Sequence, residues 1–96
     1  MNNKEKLNNN FAQFKLLTKQ AEELRDAMDI DSDKYLICCH FNFDNPIFSA
    51  WINGDDTQGT ADFEVINNIV SVKKTGHYPD NTIQEMLEII EAWINE

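Results

Sequence analysis

The chain has 96 residues and a formal net charge of −9, from 17 acidic and 8 basic side chains. That length supplies one hydrophobic core and not two, and the 42% hydrophobic and 10% aromatic content is ordinary for a globular domain that folds without staples. No stretch approaches the roughly 18 apolar residues of a membrane span, and a field of this sign repels nucleic acid and favours basic partners.

One α+β domain over residues 1–96 is expected, with residues 1–5 fraying. The first element is a helix over about residues 4–29. Leu7, Phe11, Phe14, Leu17, Ala21, Leu24 and Met28 recur at spacings of three and four with no Gly or Pro between them. Poor helix formers in Asp29-Ile30-Asp31-Ser32-Asp33 end it.

Residues 34–43 read as a strand, with Tyr35, Ile37, Cys39, Phe41 and Phe43 on one face and Leu36, Cys38, His40 and Asn42 on the other. Asp44-Asn45-Pro46 makes a turn. A second strand, 47–53, sets Phe48, Ala50 and Ile52 opposite Ile47, Ser49 and Trp51. The polar, glycine-bounded loop 54–60 leads to a third strand, 61–66, with Ala61, Phe63 and Val65 inward and Asp62 and Glu64 outward. Asn67-Asn68 suits a two-residue hairpin because Asn tolerates positive φ. A fourth strand, 69–74, follows.

The last element is a helix over 82–95, opened by a Thr82…Glu85 capping box. Its stripe is Ile83, Met86, Leu87, Ile90, Trp93 and Ile94. The order α-β-β-β-β-α with short connections predicts a four-stranded antiparallel meander with two helices packed on one face. The expected core is Phe14, Leu17, Leu24, Ile37, Phe41, Ile52, Phe63, Val65, Leu87, Ile90 and Trp93.

Few motifs carry chemistry. Asp29-x-Asp31-x-Asp33 opens like a calcium loop, but Lys34 and His40 stand where that loop needs Gly and a bidentate Glu, so no metal is expected. Cys38, His40 and His77 lack the spacing of a zinc site, and a half-buried cysteine is usually a small hydrophobe. The adjacent Cys38 and Cys39 point to opposite faces of a strand and are poorly placed to bond each other. Reduced thiols in a cytoplasm follow, and the opening residues have no apolar stretch of the kind a secretory signal needs. No P-loop, nucleophile elbow or dinucleotide fingerprint is present. No catalytic residue and no cofactor is therefore expected, and the chain reads as a binding protein, not an enzyme.

The helix–strands–helix order is similar in topology to double-stranded-RNA-binding domains. Those domains grip phosphates with lysines at the start of the last helix. This chain has Asp80, Glu85 and Glu88 there, so direct nucleic-acid binding is not expected.

The charge is uneven. Residues 1–34 hold seven acids and six bases; residues 35–72 hold five acids and no Lys or Arg; residues 73–96 hold five acids against Lys73 and Lys74. The expected function is a small acidic inhibitor that binds and blocks a basic, nucleic-acid-handling protein. Its type is that of phage anti-defence proteins (anti-restriction or anti-CRISPR), with carboxylates standing where phosphates would stand. Alternatives are an immunity protein or antitoxin that neutralises a toxin, and an adaptor that homodimerises through an overhanging long first helix. The expected binding residues are Asp44, Trp51, Asp55, Asp56, Asp62 and Glu64, with Glu85 and Glu88 as an acidic edge on the last helix. The plainer reading, in which these acids are solvated and Trp51 is core, competes with that one.

Overall fold

A computed structural model describes residues 2–16, 21–55 and 57–96, with the backbone alone at 21–23. The elements are helices α1 (Asn3–Leu16) and α2 (Ala21–Asp26), strands β1 (Ile30–Asp31), β2 (Tyr35–Phe41), β3 (Pro46–Ile52), β4 (Ala61–Ile66) and β5 (Ile69–Lys74), and helix α3 (Asp80–Ile94). The class is α+β. The sheet is an antiparallel meander in the order β1-β2-β3-β4-β5, so it has five strands where four are expected. The additional one is the two-residue β1, which pairs Ile30 with Ile37 and Asp31 with Leu36. It arises in the Asp-rich stretch read as a plain connection, because Ile30 is drawn into the core (8% exposed).

The expected single helix over 4–29 is corrected. In one straight helix, residues 10 and 24 would stand about 21 Å apart. Instead Asn10 Nδ2 donates to the Leu24 carbonyl at 3.1 Å, and Lys6 Nζ donates to the Ala27 carbonyl at 3.3 Å. The chain therefore folds back, and α2 packs against α1 and β2. At 14 residues, α1 is about 21 Å long, close to the length of a seven-residue strand. A continued helix would have carried Met28 past the end of the sheet, whereas the fold-back buries it completely.

Both helix starts differ from expectation. Helix α1 opens at Asn3 on a reciprocal cap: Glu5 N donates to Asn2 Oδ1 at 2.8 Å and Asn2 Nδ2 donates to Glu5 Oε1 at 3.4 Å. Helix α3 begins at Asp80, two residues before Thr82, with the extended Pro79 ahead of it and no side-chain cap. Proline needs no amide partner at a helix entrance, which removes one orphan donor without a Thr82 box. The Asn67-Asn68 hairpin forms as expected, with φ of 51° and 67°.

The core lies between one face of the sheet and the helices. Leu7, Met28, Met86, Ile90 and Ile94 pack with Tyr35, Ile37, Cys39, Phe48, Ala50, Ala61, Phe63, Val65 and Val70 in one cluster. Of the expected core, Ile37, Phe63, Val65 and Ile90 are buried. Phe41, Ile52, Leu87 and Trp93 are half-buried against the cluster, and Trp93 meets Phe48 edge-on with ring centroids 5.5 Å apart. Phe14 and Leu24 are half-buried rather than buried, and Leu17 lies outside the described residues. Strand β2 ends at Phe41, short of the expected 34–43, so Phe43 lies in the following turn and is 74% exposed.

Candidate functional site

The opposite sheet face carries Leu36, Cys38 and His40 on β2, Ile47, Ser49 and Trp51 on β3, and Asp62 and Glu64 on β4, by strand alternation and register. The buried apolar residues of α1 and α3, Leu7, Ile83, Met86, Ile90 and Ile94, join the core. Two rows of the open face differ sharply in character.

In the central row, polar groups satisfy one another. Ser49 Oγ donates to Asp62 Oδ1 at 2.8 Å, and His40 Nε2 lies 2.9 Å from Ser49 Oγ. With the serine proton committed to Asp62, Nε2 must carry the proton of the neutral imidazole and donate to the hydroxyl. Burial holds His40 below its ordinary value, against the opposing pull of Asp62. The serine stands between histidine and acid, so the histidine is not placed to take the serine proton while the acid orients the histidine. The neighbouring Cys38 thiol is pushed up, first by burial and then by Asp29. It is a thiol at neutral pH, not an activated nucleophile. Glu64 Oε2 lies 3.7 Å from Lys73 Nζ, and Asp62 is in register with Lys74. Asp62 and Glu64 therefore do not form the uncompensated patch expected of them. Register brings both lysines of β5 beside them, which a count along the chain conceals.

The outer row is different. Asp31, Leu36 and Trp51 stand side by side across β1, β2 and β3. Leu36 is 41% exposed and Asp31 is exposed, whereas Trp51 is half-buried and packs in part against the core cluster, so only part of its ring is open to a partner. A cleft of about 340 Å³ opens next to the row, lined by Ile30, Asp31, Ser32, Asp33, Tyr35 and Leu36. Among the described residues, neither Asp31 nor Asp33 has an ion-pair partner. An aromatic and an aliphatic side chain flanked by unpaired carboxylates is a fit surface for a cationic, partly apolar partner. In the sequence Asp31 and Asp33 read only as candidate metal ligands. Among the described residues, no three of His, Cys, Asp and Glu gather to hold an ion. The signal for these two was present, in the alternation of Asp31 with Ile30 once Ile30 is read as core.

The other expected site residues are scattered. Asp55 is half-exposed and occupied: Oδ1 accepts from Thr57 N at 3.0 Å and Thr57 Oγ1 at 2.6 Å, and Oδ2 accepts from Gln58 Nε2 at 3.3 Å. Those bonds, Thr57 first, lower its pKa. It shapes its loop. Asp56 lies outside the described residues. Asp44 is exposed in the β2–β3 turn. Glu85 pairs with Lys34 at 3.7 Å, and Glu88 accepts from Gln84 at 3.3 Å. Both lie on α3, across the core from Asp62 and Glu64, so the structure does not bring the expected acids into one surface.

Among the described residues, no helix is long and apolar enough to cross a membrane. The chain matches no protein-family model, no curated protein and no solved structure.

Proposed function

We propose that this protein is a non-catalytic, acidic inhibitor that binds a basic, nucleic-acid-handling protein, as anti-restriction and anti-CRISPR proteins do, with its carboxylates in place of phosphates. The observation that carries the reading is the Asp31–Leu36–Trp51 row beside Asp33: an apolar strip flanked by carboxylates that no described basic side chain neutralises. The net charge of −9 adds a long-range field of the same sign, which speeds encounter with a cationic surface. The mutually bonded, half-buried Ser49, His40 and Asp62 and the raised Cys38 thiol argue against nucleophilic chemistry on the same face. The adaptor alternative has less support, because α2 folds back on α1 in place of the single long helix on which it rested.

The test is affinity capture at low and high salt with the parent chain and with an Asp31→Lys/Asp33→Lys/Trp51→Ala variant, followed by assay of the captured protein on its nucleic acid. A basic protein held by the parent at low salt, released at high salt, not held by the variant and blocked from its nucleic acid supports the reading. Equal capture by parent and variant, or an unimpeded captured protein, overturns it.

A further inference from the structure

The β2–β3 turn holds a second exposed pairing of aromatic ring and carboxylate, at the far end of β2 from Leu36. Phe43 is 74% exposed, and its neighbour Asp44 is exposed as well. An exposed phenylalanine is unremarkable when it stands alone. This one belongs to a run of rings: Phe14 lies 5.8 Å from Phe43 and 5.4 Å from Phe41, and Phe11 lies 5.6 Å from Phe41.

The turn beneath it is tightly built. Asn42 Oδ1 accepts from both Asp44 N and Asn45 N at 2.8 Å, and Asn42 N donates to the Asn45 carbonyl at 3.4 Å. Pro46 follows and fixes the entry to β3. The ring is thus presented from a braced turn and backed by a second ring, which lowers the ordering cost of a contact. Among the described residues, Asp44 has no ion-pair partner.

The ring cluster already accepts a cation elsewhere: Lys15 Nζ sits 4.3 Å over the centroid of Phe11. A cation over a ring face is attracted by the ring quadrupole, and a neighbouring carboxylate adds charge. Phe43 offers the same ring chemistry with no cation over it among the described residues, and Asp44 supplies the carboxylate. A cleft of about 380 Å³ opens beside Asp44, with Asn8, Phe11, Lys15, Asn45 and Asn68 also in its walls and Phe43 outside it.

We infer that Phe43 and Asp44 form a docking point for an arginine side chain of a basic protein partner, the guanidinium lying on the Phe43 ring and pairing with the Asp44 carboxylate. Arginine fits better than lysine because its planar head stacks and donates at once. The inference rests on the proposed basic partner and adds a second anchor. Strand β2 carries the chain from Leu36 to Phe41, about 17 Å, and Phe43 lies in the turn beyond it against Phe14 of α1, so the two anchors sit at opposite ends of the strand and are tested separately.

The experiment is a titration of the full isotope-labelled chain with an acetylated, amidated tetra-arginine peptide at low salt, followed by amide and aromatic chemical shifts. Parent, Phe43→Ala, Asp44→Asn and Asp31→Asn/Asp33→Asn chains are compared. Both tip positions are exposed, and the amide spectrum of each variant reports its fold directly. Shifts at Phe43, Asp44 and Phe14, with affinity weakened about fivefold in each tip variant, support the inference. Shifts confined to the Asp31–Leu36–Trp51 row, with unchanged affinity in both tip variants, overturn it and leave the proposed function standing. No shift anywhere removes both.

Discussion

The carboxylate of Asp29 accepts the hydrogen bond of the Cys39 amide at 3.0 Å. Strand β1 ends its pairing with β2 at Ile37, and the Asp29 side chain takes over one rung further along the edge. A side chain thus closes part of an edge that the two-residue β1 is too short to cover, which protects it against pairing with other chains. Asp29→Ala should cost about 1 kcal/mol and speed hydrogen exchange at the Cys39 amide. The same carboxylate raises both neighbouring thiols, second to burial. Asp29→Asn should therefore also make Cys38 react faster with iodoacetamide near pH 8, the thiolate being the reactive form. An unchanged exchange rate at Cys39 would show that the bond does not hold the edge.

The Tyr35 side chain is fully buried and its hydroxyl meets no group in hydrogen-bonding geometry, although it lies near enough to Lys34 to be the first cause raising that ammonium's pKa. A buried hydroxyl without a partner forfeits its hydration. Tyr35→Phe keeps the ring that fills the core and removes that deficit. The variant should be as stable as the parent or up to about 1 kcal/mol more stable, read from urea unfolding. A clear loss of stability would mean that the hydroxyl is bonded in solution.

Strand alternation, the polar hairpin and the last helix's stripe were all legible in the residues, because period-two and period-3.6 patterns act locally. Two features were not. The fold-back of α2 is decided by tertiary contact, since Leu24 and Met28 continue α1's spacing without a break, and the bonds from Asn10 to the Leu24 carbonyl and from Lys6 to the Ala27 carbonyl reveal the reversal. The neutralisation of Asp62 and Glu64 depends on which strand lies beside β4, and Lys73 is nine positions away from Glu64 in the chain. Register converts sequence distance into contact, so charge counted along a strand misjudges charge across a sheet.

The His40 imidazole is held below its ordinary value of 6.5, chiefly by burial. Between the folded value and 6.5 the unfolded chain binds this proton more readily than the folded chain. Stability therefore falls as pH drops through that window, and the contribution is fully present above it. The parent should lose more stability between about pH 7.5 and pH 5.5 than His40→Gln does, as urea unfolding at the two values will report. Equal losses in the two chains would assign the acid sensitivity to other groups.

Phe63 is fully buried at the centre of β4, whereas Leu87 on α3 is only half-buried. Phe63→Ala should cost about 3–5 kcal/mol through lost burial and the cavity left behind. Leu87→Ala should cost distinctly less, because water already reaches part of that side chain. The order of the two losses in one denaturant series checks the assignment, and a larger loss at Leu87 would contradict it.

Gly76 turns the chain from β5 toward α3 with φ of 58°, where a side chain is strained. A Cβ there would stand 2.6 Å from the Gln58 carbonyl oxygen and 3.0 Å from that of Thr60, both main-chain atoms. The same two segments are joined by His77 N donating to the Gln58 carbonyl at 2.9 Å. The Tyr78 hydroxyl joins them again, donating to the Gly59 carbonyl at 3.0 Å and accepting from Ile52 N at 3.2 Å. The turn cannot yield without loosening the loop before β4. Gly54 offers the control, since its φ is 84° but nothing lies within 4 Å of a Cβ. Gly54→Ala should cost about 1 kcal/mol, the backbone term alone. Gly76→Ala carries that term plus the clash and should cost about 2–4 kcal/mol. It should also speed amide exchange at Ile52 and His77, whereas Gly54→Ala leaves both protected. Equal costs at the two glycines would mean that the 57–60 segment gives way freely, and the tie through Tyr78 would then not hold the loop.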